Sequence, residues 1–569
     1  MTRIFLTILF LISAITGNLY SQVQDPDRRL EDILSHYGQA TVRIPYPGRN
    51  VLAEIDRKIP VISVHGKYAE LSLSPADTAW FLSQSFSYEI VEYPLTKGTM
   101  TASGISDAML WDSYPKYSDY VQIMKNFTLL YPDLCKLDTI GFSNYGKLVL
   151  ALRITSGTKP PADKPETFYS STIHGNETGG FILMMRLADY LLKNYSTDSR
   201  IKNLVDNLRI WINPLANPDG TYGKTDSLLP VPTRRNAHGV DLNRDFPDPG
   251  KALDSVRQKE TLDMMKFMKK HHFVISANFH SGDELVNYPW DRWSRLHADN
   301  NWFETISREY ADTVHSFAPA GYMDEFENGI TNGYDWYQVL GGRQDYMTYS
   351  LHGREVTIEL DYNYVAPVST LESLWNYNRE SLIGYIENAI YGIHGHVTDK
   401  QTGKPVGAMI YIENHDRDSS QVFSDTLTGS YTRLIAPGLW TISYSAKGYY
   451  SKSIENVEVV QDTPLDLDVE LDPIINAVDT IATPVVKIYP DPASSYIRIV
   501  FPDRQIGRVN VRIFDSLGRK IADYDDNALE DTAMVFNVRK LSGGTYSVII
   551  TNRTTGVSDR GRFIVIRGD

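Results

Sequence analysis

The stretch STIHGNETGG, residues 171–180, sets His174 and Glu177 three positions apart in a glycine-rich turn. The extended run FYSSTI leads into it, and GGFILMMRLADYLLKNY, with apolar residues at helical spacing, leads out. Strand, turn and helix in that order make one unit of an α/β domain, where ligands bind beyond the carboxyl ends of strands. The His and Glu spacing alone decides nothing. A His followed three residues later by Asp or Glu occurs six times, at His174, His238, His280, His352, His396 and His415. On these residues both a metal site and a polar turn stay open.

The alternation continues outward. From about 111 to 390, β-rich runs (LVLALRIT, ETFYSSTI, LRIWINPLA, FVISANFH, REVTIEL) alternate with helical ones such as DSVRQKETLDMMKFMKKHH. This predicts a multidomain chain whose α/β domain, residues 111–390, has a parallel or mixed sheet. Residues 391–474 and 486–569 show short alternating strands and frequent turns, and read as two small all-β sandwiches joined by a linker, 475–485. Upstream, residues 22–95 read as a small α/β module and 96–110 as a linker rich in Gly, Ser and Thr. Residues 1–21 read as a signal peptide cut after Ser21, with Arg3 preceding the apolar run IFLTILFLISAITG. That run is short of the ~20 residues a membrane span needs.

The 569 residues allow three or four domains at roughly 100–200 residues each. A formal charge of −14 and the lack of a basic stripe argue against nucleic acid as a partner. The single cysteine, Cys135, excludes an internal disulfide.

Catalytic zinc takes three protein ligands and keeps one position open. His174 and Glu177 offer two. His280, ending FVISANFH, offers the third, whereas His271 and His272 close an amphipathic helix and read as facing solvent. Glu359, in TIELD, puts a charge in an otherwise apolar or β-branched strand, which is costly unless used. It suits a general base taking a proton from water; an edge-strand carboxylate facing solvent is the other reading. The segment RRNAHGVDLNRDFPD, 234–248, brings Arg234, Asn243 and Arg244. Arginine grips a carboxylate through two parallel hydrogen bonds, so this segment suits recognition of a free C-terminus, although alone it also fits a solvated loop.

Together, HGNE, NPDG (217–220), RRNAHGVDLNRDF, FHSGDELVNYPW, GITNGYDWYQVLGGRQDY and TIELD stand in the order found in the zinc metallocarboxypeptidases. The region resembles that carboxypeptidase A-like family, the M14 peptidases, and within it the regulatory group that includes carboxypeptidases N, E, M and D. The resemblance implies a central mixed eight-stranded sheet flanked by helices and one Zn2+ held by His174, Glu177 and His280. It implies Glu359 as general base, Arg234 as the group stabilising the developing oxyanion, and Asp241 orienting His174. Asn243, Arg244 and Tyr337 are implied to bind the substrate's terminal carboxylate. Asp291, eleven residues after His280, and Gln344 are implied to favour a terminal Lys or Arg. Ser281 stands where the regulatory group has Gly, and Arg343 where it has Met. A cation beside Gln344 opposes a basic substrate if it points inward.

The flanks extend the resemblance. Residues 391–474 are similar to the transthyretin-like domain of the regulatory group, and 22–95 stand where secreted relatives keep an inhibitory prosegment. Residues 486–569, with KIYPDPASSYIRI, VRIFDSLGRKI and LSGGTYSVII, resemble the sorting domain of type IX secretion. The implied protein is secreted or attached to the cell surface, exported by a signal peptide and then by the type IX machinery. It acts on peptide or protein C-termini, with no transmembrane segment in the mature chain. The alternatives are a same-fold peptidase for peptidoglycan stem peptides and a surface-binding protein without catalysis.

Overall fold

Four strands open the chain as an antiparallel sheet: β1 (Ala40–Pro45), β2 (Val61–His65), β3 (Tyr68–Leu73) and β4 (Glu89–Val91), in the order β2-β3-β1-β4. The computed structural model describes residues 25–91, 100–156, 163–251, 256–474, 486–501, 505–528 and 533–567. The expected signal peptide, 1–21, and the expected linker, 475–485, lie outside the described residues. Helices Pro26–Tyr37, Arg49–Asp56 and Thr78–Ser83 complete the first module. Its core of Leu30, Leu34, Val42, Leu52, Ile55, Leu71 and Phe81 also takes in Leu285 and Trp336 from the next region.

Eight strands then form the central mixed sheet. They are β5 (Cys135–Phe142), β6 (Leu148–Ile154), β7 (Glu166–Ser171), β8 (Arg209–Asn213), β9 (Phe273–His280), β10 (Asp283–Tyr288), β11 (Ile330–Asn332) and β12 (Arg354–Asp361), in the order β11-β10-β12-β9-β7-β8-β6-β5. Neighbours from β12 through β9 and β7 to β8 run parallel, while β10 is antiparallel to β12 and β6 to β8. Successive side chains on a strand leave on opposite faces. On β7, accordingly, Tyr169 joins the core under helices Tyr117–Leu130, Gly179–Asn194, Asn300–Phe317 and Leu371–Glu387, while Phe168 joins that under Lys259–Lys270 and Arg343–Ser350. On β12, Val356, Ile358 and Leu360 enter the first core, which turns Glu359 to the other face. Because β12 lies between β10 and β9, Glu359 is an interior-strand carboxylate, and the edge-strand reading fails.

Two other expectations change. Part of the stretch read as a linker, residues 100–110, is folded: Thr101 bridges Tyr114, Ile105–Ala108 is a helical turn, and Ala102 and Ala108 are buried in the main core. The two alanines anchor the stretch, while Ser103 and Ser106 stay exposed. His271 does not face solvent either. Its ring packs on Trp211, Phe267 and Phe273, and Nδ1 meets the buried Glu166 at 3.2 Å. His272 is exposed.

Residues 392–471 form two facing sheets over a core that includes Ile393, Val397, Ile410, Ile442 and Val469. Arg433 of this sandwich donates to Asp299 at 3.0 and 2.9 Å, and Arg354 of β12 reaches the same carboxylate at 2.6 Å, all fully or nearly fully buried. Breaking such a pair by removing one partner is strongly destabilising, so this network fastens the sandwich to the central sheet. A second compact unit starts at Ile474. Its described strands form one three-stranded and one four-stranded sheet around Ile497, Ile499, Val511, Ile513, Val548 and Phe563. No described helix is long and apolar enough to cross a membrane.

Candidate active site

Three neighbouring parallel strands deliver the central groups. His174 lies just beyond β7, His280 is the last residue of β9, and Glu359 on β12 is the register partner of His280. The HGNE turn is seated on the helix Pro218–Tyr222: a Cβ on Gly175 would lie 2.4 Å from the Gly220 backbone, so only glycine permits the approach. Asn217 caps that helix by accepting from the Gly220 N–H at 3.0 Å.

His174 Nδ1 lies 2.9 Å from Glu177 Oε1, and His280 Nδ1 lies 2.7 Å from Glu177 Oε2. One donor atom from each residue falls within 4.8 Å of the others, and all three residues are buried. Zinc bonds nitrogen and carboxylate oxygen at about 2.0–2.2 Å, so a single ion is within reach of this N, O, N set. His174 Nε2 faces Asp241 Oδ1 at 3.0 Å, the arrangement that fixes the tautomer and leaves Nδ1 free for a metal. His280 Nε2 meets the Asn278 side-chain amide at 2.7 Å. Burial pushes the His280 imidazole down to about 4 against the pull of Glu177, which keeps it neutral as a ligand must be. Burial pushes the Glu177 carboxyl up, but His174 and His280 outweigh it and hold it far below the usual carboxylate range.

Glu359 differs from Glu177. Its Oε2 is buried without a hydrogen-bond partner, and burial, reinforced by Glu177 and Asp283, pushes its carboxyl well above the usual range. Nearby, Arg234 donates to Asp241 at 2.9 Å and to Glu177 at 3.0 Å. Asp241 is raised by burial but held well below its usual value by Arg234 and His174. Asn243 Oδ1 accepts from the Arg343 N–H at 2.9 Å. Arg244 already grips a carboxylate: Nε and Nη2 reach the Asp56 oxygens at 3.1–3.2 Å, and Nη2 also donates to Val61 O at 2.9 Å. Burial lowers the Arg244 guanidinium, but Asp56, Asp241 and Tyr337 outweigh it and raise it. Tyr337 packs on Trp336 against the first module's core.

Asp291 and Gln344 meet. Gln344 Nε2 donates to Asp291 Oδ1 at 2.9 Å, and Asn287 Nδ2 donates to the same oxygen at 3.2 Å. Gly333 completes the recess, since a Cβ there would overlap Asp291. Burial, only partly relieved by Asn287 and Arg244, pushes the Asp291 carboxyl up to about 7. Arg343 does not oppose a cation there. Its fully buried guanidinium turns to Glu355 at 2.9 Å and Asn278 at 3.1 Å and covers the Phe168 ring. Four participants escaped sequence reading: Asp56, Asn278, Asn287 and Asp345, whose carboxylate accepts from the Asp291 and Arg292 N–H groups. Asn287 and Asp345 lie inside quoted motifs and Asn278 inside a quoted β-rich run, but nothing local marked what each would touch.

Comparison with known proteins finds named relatives of the chain. Residues 120–381 match the zinc carboxypeptidase family model, 392–472 the carboxypeptidase regulatory-like domain, and 487–566 the secretion system C-terminal sorting domain. Mouse carboxypeptidase M is 33% identical over 345 residues, spanning 58% of this chain and 77% of that protein. The chain belongs to the zinc carboxypeptidase family. Human carboxypeptidase D is 33% identical over 380 residues, 62% of this chain but 26% of that protein, so the match spans about a quarter of that relative. The crystal structure of carboxypeptidase A from Helicoverpa armigera, at 18% identity, covers 62% of this chain and 97% of that chain with a TM-score of 0.51. It shares the zinc carboxypeptidase fold, including the expected mixed eight-stranded sheet flanked by helices.

Proposed function

We propose that the protein is an exported zinc metallocarboxypeptidase that releases single C-terminal residues, preferring Lys and Arg, and that residues 25–91 hold it latent. The observation that carries this reading is a carboxylate, Asp56, gripped by Arg244 beside the His174, Glu177 and His280 cluster. Once Asp56 leaves, the Arg244 fork is free for a substrate's terminal carboxylate, with Asn243 and Tyr337 beside it. Bound zinc supplies Lewis acidity and lowers the pKa of water toward about 7. Glu359, its Oε2 free, takes the proton from the attacking water and passes it to the leaving amine. Arg234, which borders the cluster through Glu177 and Asp241, would meet negative charge growing on the scissile carbonyl oxygen. Asp291, with Gln344, pairs with the cationic end of a terminal Lys or Arg. The sorting-domain match supports export by the type IX machinery, to the medium or the cell surface.

Two tests follow from the ligand set and the pocket. His280→Ala should lose tightly bound zinc, read by elemental analysis of the purified chain, whereas wild type retains stoichiometric metal; equal content removes His280 from the set. The Asp291 carboxyl is neutral below about 7 and anionic above it, and only the anion attracts a cation. The kcat/KM ratio of Arg-ended over Leu-ended peptides therefore rises by about tenfold or more as pH passes upward through that region. Asp291→Asn flattens the rise. A ratio independent of pH in wild type removes Asp291 from specificity.

A further inference from the structure

The terminal-residue pocket is one side of the site; the other is also built. On β10, Asp283, Leu285 and Asn287 alternate onto one face. Leu285 is the register partner of Glu359, and Asn287 touches Asp291. Asp283 therefore stands on the far side of Glu359 from the Asp291 pocket, about 7 Å along the strand from Leu285. If the Asp291 side takes the residue after the scissile bond, Asp283 flanks the residue before it.

The chain shows what fits there. Strand β2 of the first module lays His65 between two carboxylates, Nε2 at 3.5 Å from Asp283 Oδ2 and Nδ1 at 3.6 Å from Glu325 Oε2. Ser63 Oγ bonds both Asp283 Oδ2, at 3.2 Å, and His65 Nε2, at 2.8 Å. Asp283 is only 1% exposed, and its other oxygen accepts from the Glu284 N–H at 3.1 Å. The same module thus presents a carboxylate, Asp56, to Arg244 and a nitrogen base, His65, to Asp283 and Glu325. Its two contacts set a carboxylate and a ring nitrogen against the site, the two kinds of group a basic peptide end carries.

We infer that Asp283 and Glu325 form an upstream subsite that selects a cationic side chain, Lys or Arg, at the penultimate position of the substrate. This rests on the carboxypeptidase reading above. Burial pushes the Asp283 carboxyl up to about 6, and departure of β2 removes that cover. The subsite makes peptides with two basic residues at the C-terminus the preferred substrates.

The test uses the full chain after limited proteolysis, both fragments kept, on peptides ending in Arg with penultimate Lys, Ala or Glu, and on a matched series ending in Leu. Wild type should show kcat/KM for penultimate Lys over Ala raised about fivefold. Asp283→Asn and Glu325→Gln should bring that ratio towards one while leaving the Arg-over-Leu terminal ratio unchanged. Asp283→Lys should turn the preference toward penultimate Glu, which a loss of packing alone cannot do. Equal rates across penultimate residues in wild type, or a preference that survives both neutral variants, overturns the subsite and leaves the carboxypeptidase reading standing. No release from any peptide defeats that reading, and the subsite with it.

Discussion

Replacing Glu359 by Gln lowers kcat by about 10²- to 10⁴-fold with KM and zinc content little changed. Gln keeps the shape, and Oε2 has no partner whose bond is lost. Glu359 also lies outside the His174, Glu177 and His280 cluster, so metal should stay. What disappears is a carboxyl that can accept and return a proton in a buried setting that favours the protonated form. The check is steady-state kinetics beside elemental analysis. Retained turnover assigns the proton transfer elsewhere; lost metal makes Glu359 part of the metal site.

The second large effect concerns latency. The uncut chain should be nearly inactive, and Asp56→Ala should raise its kcat/KM by about 10²-fold or more without any cleavage. Removing one partner of a buried ion pair costs about 3–5 kcal/mol, and each 1.4 kcal/mol is about tenfold in the open fraction. The rest of the module stays tethered: Arg235 bonds Asp77 and Ser74, Gln39 Nε2 donates to Pro232 O, and Gln39 Oε1 accepts from the Arg234 N–H. Opening is therefore local, and limited proteolysis should add less to the variant than to wild type. An uncut wild-type chain as active as the trimmed one contradicts the latency.

Much of the fold was legible because the five quoted β-rich runs between 148 and 360 are rich in apolar and β-branched residues and are bounded by helical runs, and all five are strands of the sheet, buried along most of their length. The weaker strands were harder. β5 is half exposed and β11 has three residues, too little pattern to register. The site was legible where chemistry sits in local motifs, as with His174, Glu177 and the loop from Arg234 to Arg244. It was not legible where contacts span the chain: Asp56 meets Arg244 across 188 positions and Ser63 meets Asp283 across 220. The linker misreading of 100–110 has a related cause. Only Ala102 and Ala108 of that stretch are buried, and two small apolar residues give no period to read.

The most direct measurement is release of the last residue from peptides ending in Arg, Lys, Phe or Leu, each as free acid and as amide, by the trimmed chain with and without a zinc chelator. The account predicts loss of one residue only, from free acids only, fastest for Arg and Lys, and abolished by chelation, because Arg244 needs a terminal carboxylate and the cluster needs its metal. Cleavage of amides at the same rate, cuts inside the peptides, or release that survives chelation contradicts it.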